Sequence, residues 1–279
     1  MEKLSDKQYW DSHYEQKSST SQLGDIDKKP PKKSIDDKLR NTLFRGYADY
    51  LLWEKIFPKY LIKNKLKVVE IGSAPGKELV RLHKVFDLEP YGIEYSESGV
   101  KLNQRNFIEN GINPQNVIHA DFLSEEISRQ YESSFDIVMS RGFIEHFDNP
   151  KEIVKKHINL LKKGGILIIS IPNLRGFNYV MQRLFDNHVI QIHNIGIMEK
   201  KEFTKLFDDE RLSMSYCEYY GTLNFNLFAA KKRTIGSFLL LFFKVLQLLL
   251  NALFHIVLGK RGAESKTFSP YLIYIGVRK

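Results

Sequence analysis

Cysteine is nearly absent: Cys217 is the one thiol in 279 residues. A single thiol cannot close an intramolecular disulfide, so a cross-linked fold is excluded and a reduced, cytoplasmic setting is expected. No basic stretch followed by a short apolar one opens the chain, so nothing in it suggests export. Basic residues interleaved with aromatics, the repeat that stacks nucleic-acid bases, are also missing. That lack matters because the net charge is +9. Such a charge favours polyanions in general, and both nucleic acid and an anionic lipid surface qualify.

What is present is a chain that is 43% hydrophobic and long enough to bury a full core. Short β-rich runs at 67–71, 91–95, 116–120, 135–140 and 165–171 are separated by amphipathic helical stretches. This is the signature of a parallel sheet built from βαβ units. Gly164-Gly165, after a helical run, reads as a helix C-cap delivering the chain into the fifth strand. Runs at 212–220 and 271–277 alternate polar and apolar residues and suit an antiparallel edge pair. Apolar residues at helical spacing predict one or two helices over 39–61, ahead of the first strand. The division expected is an N-terminal helix and flexible linker (1–36), the main α/β domain (37–230), a hydrophobic helical insert (231–262) and a last strand (263–279). Within the linker, Lys28-Lys29-Pro30-Pro31-Lys32-Lys33 reads as a solvated tail.

The insert contains an apolar segment, 238–258, of about 21 residues, near the length of a bilayer span. Lys244, Gln247, Asn251 and His255 recur at three- and four-residue steps and form one narrow polar stripe. Lys231-Lys232-Arg233 and Lys260-Arg261 flank it. A true span would carry the last strand to the far side of the membrane from the sheet that it must join. A helix lying in an anionic membrane surface is the expectation, with a homodimer contact or intramolecular packing as the alternatives.

The most informative segment is Val68-Val69-Glu70-Ile71-Gly72-Ser73-Ala74-Pro75-Gly76-Lys77. An apolar strand runs into a glycine turn and a helix start, so the backbone can approach a ligand closely while free N–H groups face an anion. The turn lacks the Gly-x-Gly-x-x-Gly spacing of a dinucleotide site, which makes a nicotinamide enzyme a weak alternative. Its Glu-x-Gly-x-Ala-x-Gly pattern resembles the first motif of class I S-adenosylmethionine-dependent methyltransferases, with Ala74 in place of the commoner glycine. The resemblance covers residues 39–173 well and the remainder only by strand order. It implies an α/β fold with a Rossmann-like, seven-stranded, mostly parallel sheet, helices on both faces, an antiparallel last strand and the hydrophobic insert between the last two strands.

The resemblance also implies site residues. Glu70, Gly72, Ser73, Ala74 and Gly76 would surround the methionine part of the cofactor. Glu94, followed by Tyr95, ends the second strand where a carboxylate can accept both ribose hydroxyls. Asp121 and Phe122, after the third strand, would meet the adenine, and Arg141 completes the cofactor set. The helical segment before the first strand would close over the cofactor. Glu145-His146-Phe147 is similar to the Glu-His segment of small-molecule O-methyltransferases acting on quinone precursors. Methyl transfer to a hydroxyl needs alignment, a dry pocket and removal of a proton, for which His146 and, in a covering loop, His193 are candidates. Small-RNA 2′-O-methyltransferases carry a further Glu three residues before the Glu-His pair. Here that residue is Gly142, so no metal is expected. The activity expected is transfer of a methyl group from S-adenosylmethionine to a small amphipathic or lipid-linked acceptor, at oxygen, by a cytoplasmic protein peripheral to a membrane. The alternatives are an RNA methyltransferase, suggested by charge and by Ala74-Pro75-Gly76 but lacking its catalytic acid and lysines at Ser140-Arg141-Gly142, and a non-catalytic cofactor-binding protein. Nucleic acid is the disfavoured partner.

Overall fold

The computed structural model describes residues 3–4, 8, 10–12, 14–15, 44–228, 230 and 235–279. The basic run at 28–33 and Lys231-Lys232-Arg233 lie outside the described residues. In chain order the strands are β1 (Lys67–Ile71), β2 (Glu89–Glu94), β3 (Val117–His119), β4 (Phe135–Arg141), β5 (Leu161–Pro172), β6 (Leu212–Tyr220) and β7 (Tyr271–Arg278). They form one sheet in the order β3-β2-β1-β4-β5-β7-β6. The first five run parallel, and β7 enters antiparallel between β5 and β6.

Alternation along the strands sorts side chains onto two helix layers. A continuous helical run through Tyr47–Leu51, Leu52–Ile56 and Phe57–Tyr60 (α1), with α2 (Lys77–Phe86) and α3 (Glu97–Glu109), covers the face carrying Val68, Met139, Ile168 and Ile273. On the opposite face, α4 (Glu125–Gln130), α5 (Pro150–Leu160) and later α8 (Lys200–Lys205) pack over Val69, Val138, Ile169 and Leu272. Each fully buried Leu, Ile or Phe in these layers contributes about 1.5–3 kcal/mol, so the paired layers hold the sheet edges where the site is built. Between β5 and β6 the chain also forms α6 (Phe177–Phe185) and α7 (Asn187–Gln191), and between β6 and β7 the long α9 (Ile235–Val257).

Two expectations are corrected. Gly164-Gly165 is no helix cap: β5 begins at Leu161, directly after α5. From Phe135↔Leu161 to Ile137↔Ile166 the partner strand advances five residues against two, and Gly164 at φ +75° carries that bulge. A glycine after a helical run signals either outcome, and only the pairing strand decides.

The second correction concerns α1, none of whose residues lines the cavities described below. It packs instead on α2 and α9. Trp53 stacks with Phe86, Arg81 lies 3.9 Å over the Trp53 ring, and the Tyr47 hydroxyl donates to the Gly259 carbonyl at 2.9 Å. On α9, whose polar stripe had no direction assigned by the sequence, Gln247 and Asn251 are buried against the protein and His255 pairs with the Arg45 carbonyl.

Candidate active site at the carboxyl edge of the sheet

Strand order reverses between β1 and β4, which leaves a crevice beyond the carboxyl ends of the strands. The turn after β1 fills its floor. Gly72 and Gly76 adopt φ +68° and +83°, a region costly for other residues. A methyl group on Gly72 would come within 3.0 Å of the Phe143 ring, and one on Gly76 within 2.0 Å of Asn103 Oδ1. Asn103, from α3, clamps the turn by donating to Ser73 Oγ at 2.6 Å. The Ser73 side chain is thereby turned under the loop, and neither Ser73 nor Gly76 lines a cavity. Both residues shape the loop that the other candidates face.

Two adjoining cavities of about 170 and 370 Å³ share Gly72, Ala74, Arg141, Gly142 and His146. The smaller collects Glu94, Tyr95, Asp121 and Phe122. Each Glu94 oxygen accepts one backbone N–H, Oε2 from Ala74 at 3.2 Å and Oε1 from Ser96 at 2.9 Å. This fixes the carboxylate and leaves each oxygen a further lone pair. Phe122 is buried edge-on to Phe143 at 5.9 Å between ring centroids. Asp121 accepts from Lys3 Nζ at 2.8 Å.

The larger cavity holds Glu70, Glu78, Arg141, Glu145, His146 and His193. Sequence placed the two histidines far apart; here their rings lie 4.4 Å apart, centroid to centroid. His146 Nδ1 pairs with the Ile192 carbonyl at 2.9 Å and His193 Nδ1 with the Val189 carbonyl at 2.5 Å. These bonds assign the Nδ1–H tautomer to both rings and leave Nε2 as an acceptor. Burial, with His193 beside it, brings His146 down to about 3, and burial lowers His193 as well. Both are neutral near pH 7. Glu145 is fully buried with neither carboxylate oxygen hydrogen-bonded, and burial pushes it up to about 8. Glu145, His146 and His193 each offer one ligand atom within 4.8 Å of the others. Counting neighbours along the sequence found only the first two.

Charge across the crevice is lopsided. The lining carboxylates are Glu70, Glu78, Glu94, Asp121 and Glu145, against the cations Lys3 and Arg141. Lys3 pairs with Asp121 and Arg141 with Glu78 at 2.9 Å; Glu70 feels Arg141 less than it feels Glu78, and Glu94 and Glu145 have no ion-pair partner among the described lining residues. Burial, reinforced by Glu78, pushes Glu70 up to about 8, and burial raises Glu94. Burial opposes the Arg141 charge, but Glu78, Tyr220 and Glu70 outweigh it and raise its pKa. Carboxylates held in this state suit a cationic ligand, and a sulfonium that also carries an ammonium group answers that demand.

Sequence reasoning missed the cover. Lys3, Trp10 and Tyr14 line the smaller cavity in place of α1. Trp10 meets His146 edge-on at 5.3 Å, Tyr14 donates to the Ala74 carbonyl at 3.3 Å, and Lys3 lies 4.9 Å over the Tyr95 ring. Trp10 and Tyr14, four residues apart on a helix, were the signal available.

Comparison with known proteins identifies the family and agrees with the fold. A family model described as methyltransferase domain matches residues 62–215. The ubiquinone biosynthesis O-methyltransferase of Leptothrix cholodnii is 23% identical over 140 residues, 50% of this chain and 58% of that protein. Phosphoethanolamine N-methyltransferase 1 of Arabidopsis thaliana is 22% identical over 160 residues, 55% of this chain and 32% of that one. This chain spans about half the length of the first curated relatives it matches. Among solved structures, the geranyl diphosphate C-methyltransferase of Streptomyces coelicolor, held with Mg2+, geranyl diphosphate and S-adenosyl-L-homocysteine, superimposes with a TM-score of 0.53. That match has 15% identity and covers 83% of this chain and 77% of the other, a likeness of fold.

Proposed function

This chain belongs to the methyltransferase domain family, and from that premise we propose that it methylates a hydroxyl oxygen of a small amphipathic acceptor. The cofactor is S-adenosylmethionine, which supplies a methyl group on a sulfonium for in-line displacement. The observation that carries the reading is the excess of carboxylates at the carboxyl edge of the sheet, five against two cations among the described lining residues. Glu94 accepts the ribose hydroxyls with the lone pairs its two backbone bonds leave over. Glu70 holds the ammonium end, and Arg141, charged through Glu78, lies beside the carboxylate end. Tyr95, Asp121 and Phe122 border the base, while Gly72 and Ala74 leave room for the chain between.

The acceptor enters the larger cavity, whose far wall is Ile171, Pro172 and Tyr271. His146 Nε2 takes the hydroxyl proton, and His193 positions the oxygen beside it. Ile171 and Pro172 in that lining support an acceptor with an apolar part. Likeness to ubiquinone O-methyltransferases supports oxygen over nitrogen. The test is incubation with methyl-labelled cofactor and matched acceptors: catechols with and without an alkyl tail, and amines with the same tails. Label in the tailed catechol first is expected; label in the amines alone contradicts the reading.

A second reading is metal-assisted transfer, favoured by the clustered Glu145, His146 and His193 and by the unbonded Glu145 oxygens. A divalent cation would hold the acceptor oxygen and ease its ionisation. Activity abolished by chelator and restored by added metal selects this reading; activity indifferent to chelator selects the histidine base.

A further inference from the structure

We propose that α9 docks this protein on an anionic lipid bilayer, lying in the plane of the headgroups with its apolar face outward. This goes beyond the methyl-transfer reading and stands whether or not that reading holds. A surface helix of a soluble protein buries its apolar stripe and shows its polar one. Here the arrangement is inverted. Gln247 and Asn251 are 1% and 2% exposed, whereas Phe238, Phe242, Val245, Leu249 and Ile256, spaced by four, three, four and seven residues along one face, are 58–73% exposed.

The inward polar groups tie the helix to the body. Gln247 Oε1 accepts from the Phe225 N–H at 2.8 Å, and its Nε2 donates to the Leu223 carbonyl and to Asn251 Oδ1. Asn251 Oδ1 also accepts from the Tyr47 N–H at 3.3 Å, and His255 Nε2 pairs with the Arg45 carbonyl at 3.0 Å. Val180 and Leu184 are exposed on α6, the helix that packs beside α9.

Three occupants are conceivable, and the structure favours one. Residues 236–257 are long and apolar enough to cross a bilayer, with mean hydropathy 2.0. Yet β6 and β7, the strands on either side of α9, pair with each other from Leu212↔Arg278 to Tyr220↔Tyr271, so both ends of the helix return to one body. A crossing would tear that pairing apart. A second copy would bring like charges together. Between Glu218 and Glu264 the sequence has no acidic residue but has Lys231, Lys232, Arg233, Lys244, Lys260 and Arg261. The same charges complement an anionic headgroup layer. A helix of 23 residues, about 35 Å long, presents this face as one strip.

The test is flotation of the full chain with phosphatidylcholine vesicles and with vesicles of phosphatidylcholine and phosphatidylglycerol, at low and high salt. Co-flotation with the anionic vesicles, at least tenfold stronger than with the neutral ones and weakened by salt, is expected. The double variant Phe242→Glu with Leu249→Glu, both sites solvent-facing, should lose it tenfold or more while keeping wild-type thermal unfolding. Lys260→Glu with Arg261→Glu should lose the preference for anionic lipid. Failure to float, flotation unchanged in the double variant, or a dimer in solution that the double variant dissolves while vesicles go unbound, each overturns the proposal. The readout involves no methyl transfer, so an inactive protein that floats separates this proposal from the activity.

Discussion

The crevice and α9 both bury polar side chains, and they do so in opposite states. Gln247 and Asn251 spend their hydrogen-bonding capacity on Phe225, Leu223, Tyr47 and each other. Glu145 has no hydrogen-bond partner of ordinary geometry for either oxygen, and Glu70 lies buried where the charge of Glu78 outweighs that of Arg141. A satisfied buried polar group is an anchor; an unsatisfied or unbalanced one marks where a ligand belongs. The contrast is what the two proposals rest on, methyl transfer in one region and attachment through the other.

The strongest way to break that contrast is at His146. With a tailed catechol as acceptor, His146→Gln should lower turnover by roughly 10²–10⁴ while S-adenosylhomocysteine affinity changes little. Equal turnover would move the proton acceptor elsewhere. Because burial holds His146 near 3, its base form persists on the acid side. Activity should therefore show no protonation limb near the ordinary histidine value of 6.5.

The anchor side is broken by Gln247→Ala, which strands the Phe225 N–H and the Leu223 carbonyl. Urea unfolding should show a loss of about 1–3 kcal/mol with cofactor affinity intact. An unaltered midpoint would mean that the stripe is not what fastens the helix.

Trp10→Ala sharpens the part played by the cover. Loss of its contacts should weaken S-adenosylhomocysteine binding by about three- to tenfold, an effect of 0.5–1.5 kcal/mol, measured by calorimetry. No change would return Trp10 to packing alone.

The smallest effect is the proton linked to Glu70. Its folded pKa, about 8, stands above the ordinary 4.5, so its contribution to stability is full below 4.5 and is lost as pH rises through 8. An ammonium group beside it draws the proton off, so binding should release part of a proton at pH 7 and tighten from pH 6 to 8. Calorimetry in buffers of different ionisation heat reads this release, and Glu70→Gln should abolish it. Persistence of the release in that variant would assign the proton to another group.

Much of this was legible in the sequence because it was local. The limits of β6 and the bounds of β1 follow from alternation and from the glycine turn, and Glu94 from its distance to that turn. What was not legible depends on partners distant in sequence. Gly164 reads as cap or bulge until β4 is set beside it. The His146–His193 contact closes over 47 positions, and only Asn103 shows that Ser73 turns away. Helical periodicity located the stripe of α9 but not its direction, since a polar stripe points outward in water and inward beneath a lipid face.

The most direct test of the central claim, that the crevice holds the sulfonium cofactor, is calorimetric titration of the full chain with S-adenosylhomocysteine, wild type against Glu94→Ala. One-to-one binding, weakened about a hundredfold by the substitution with unfolding temperature preserved, is the expected result. Binding equally tight in Glu94→Ala, or no binding to the wild-type chain, contradicts it.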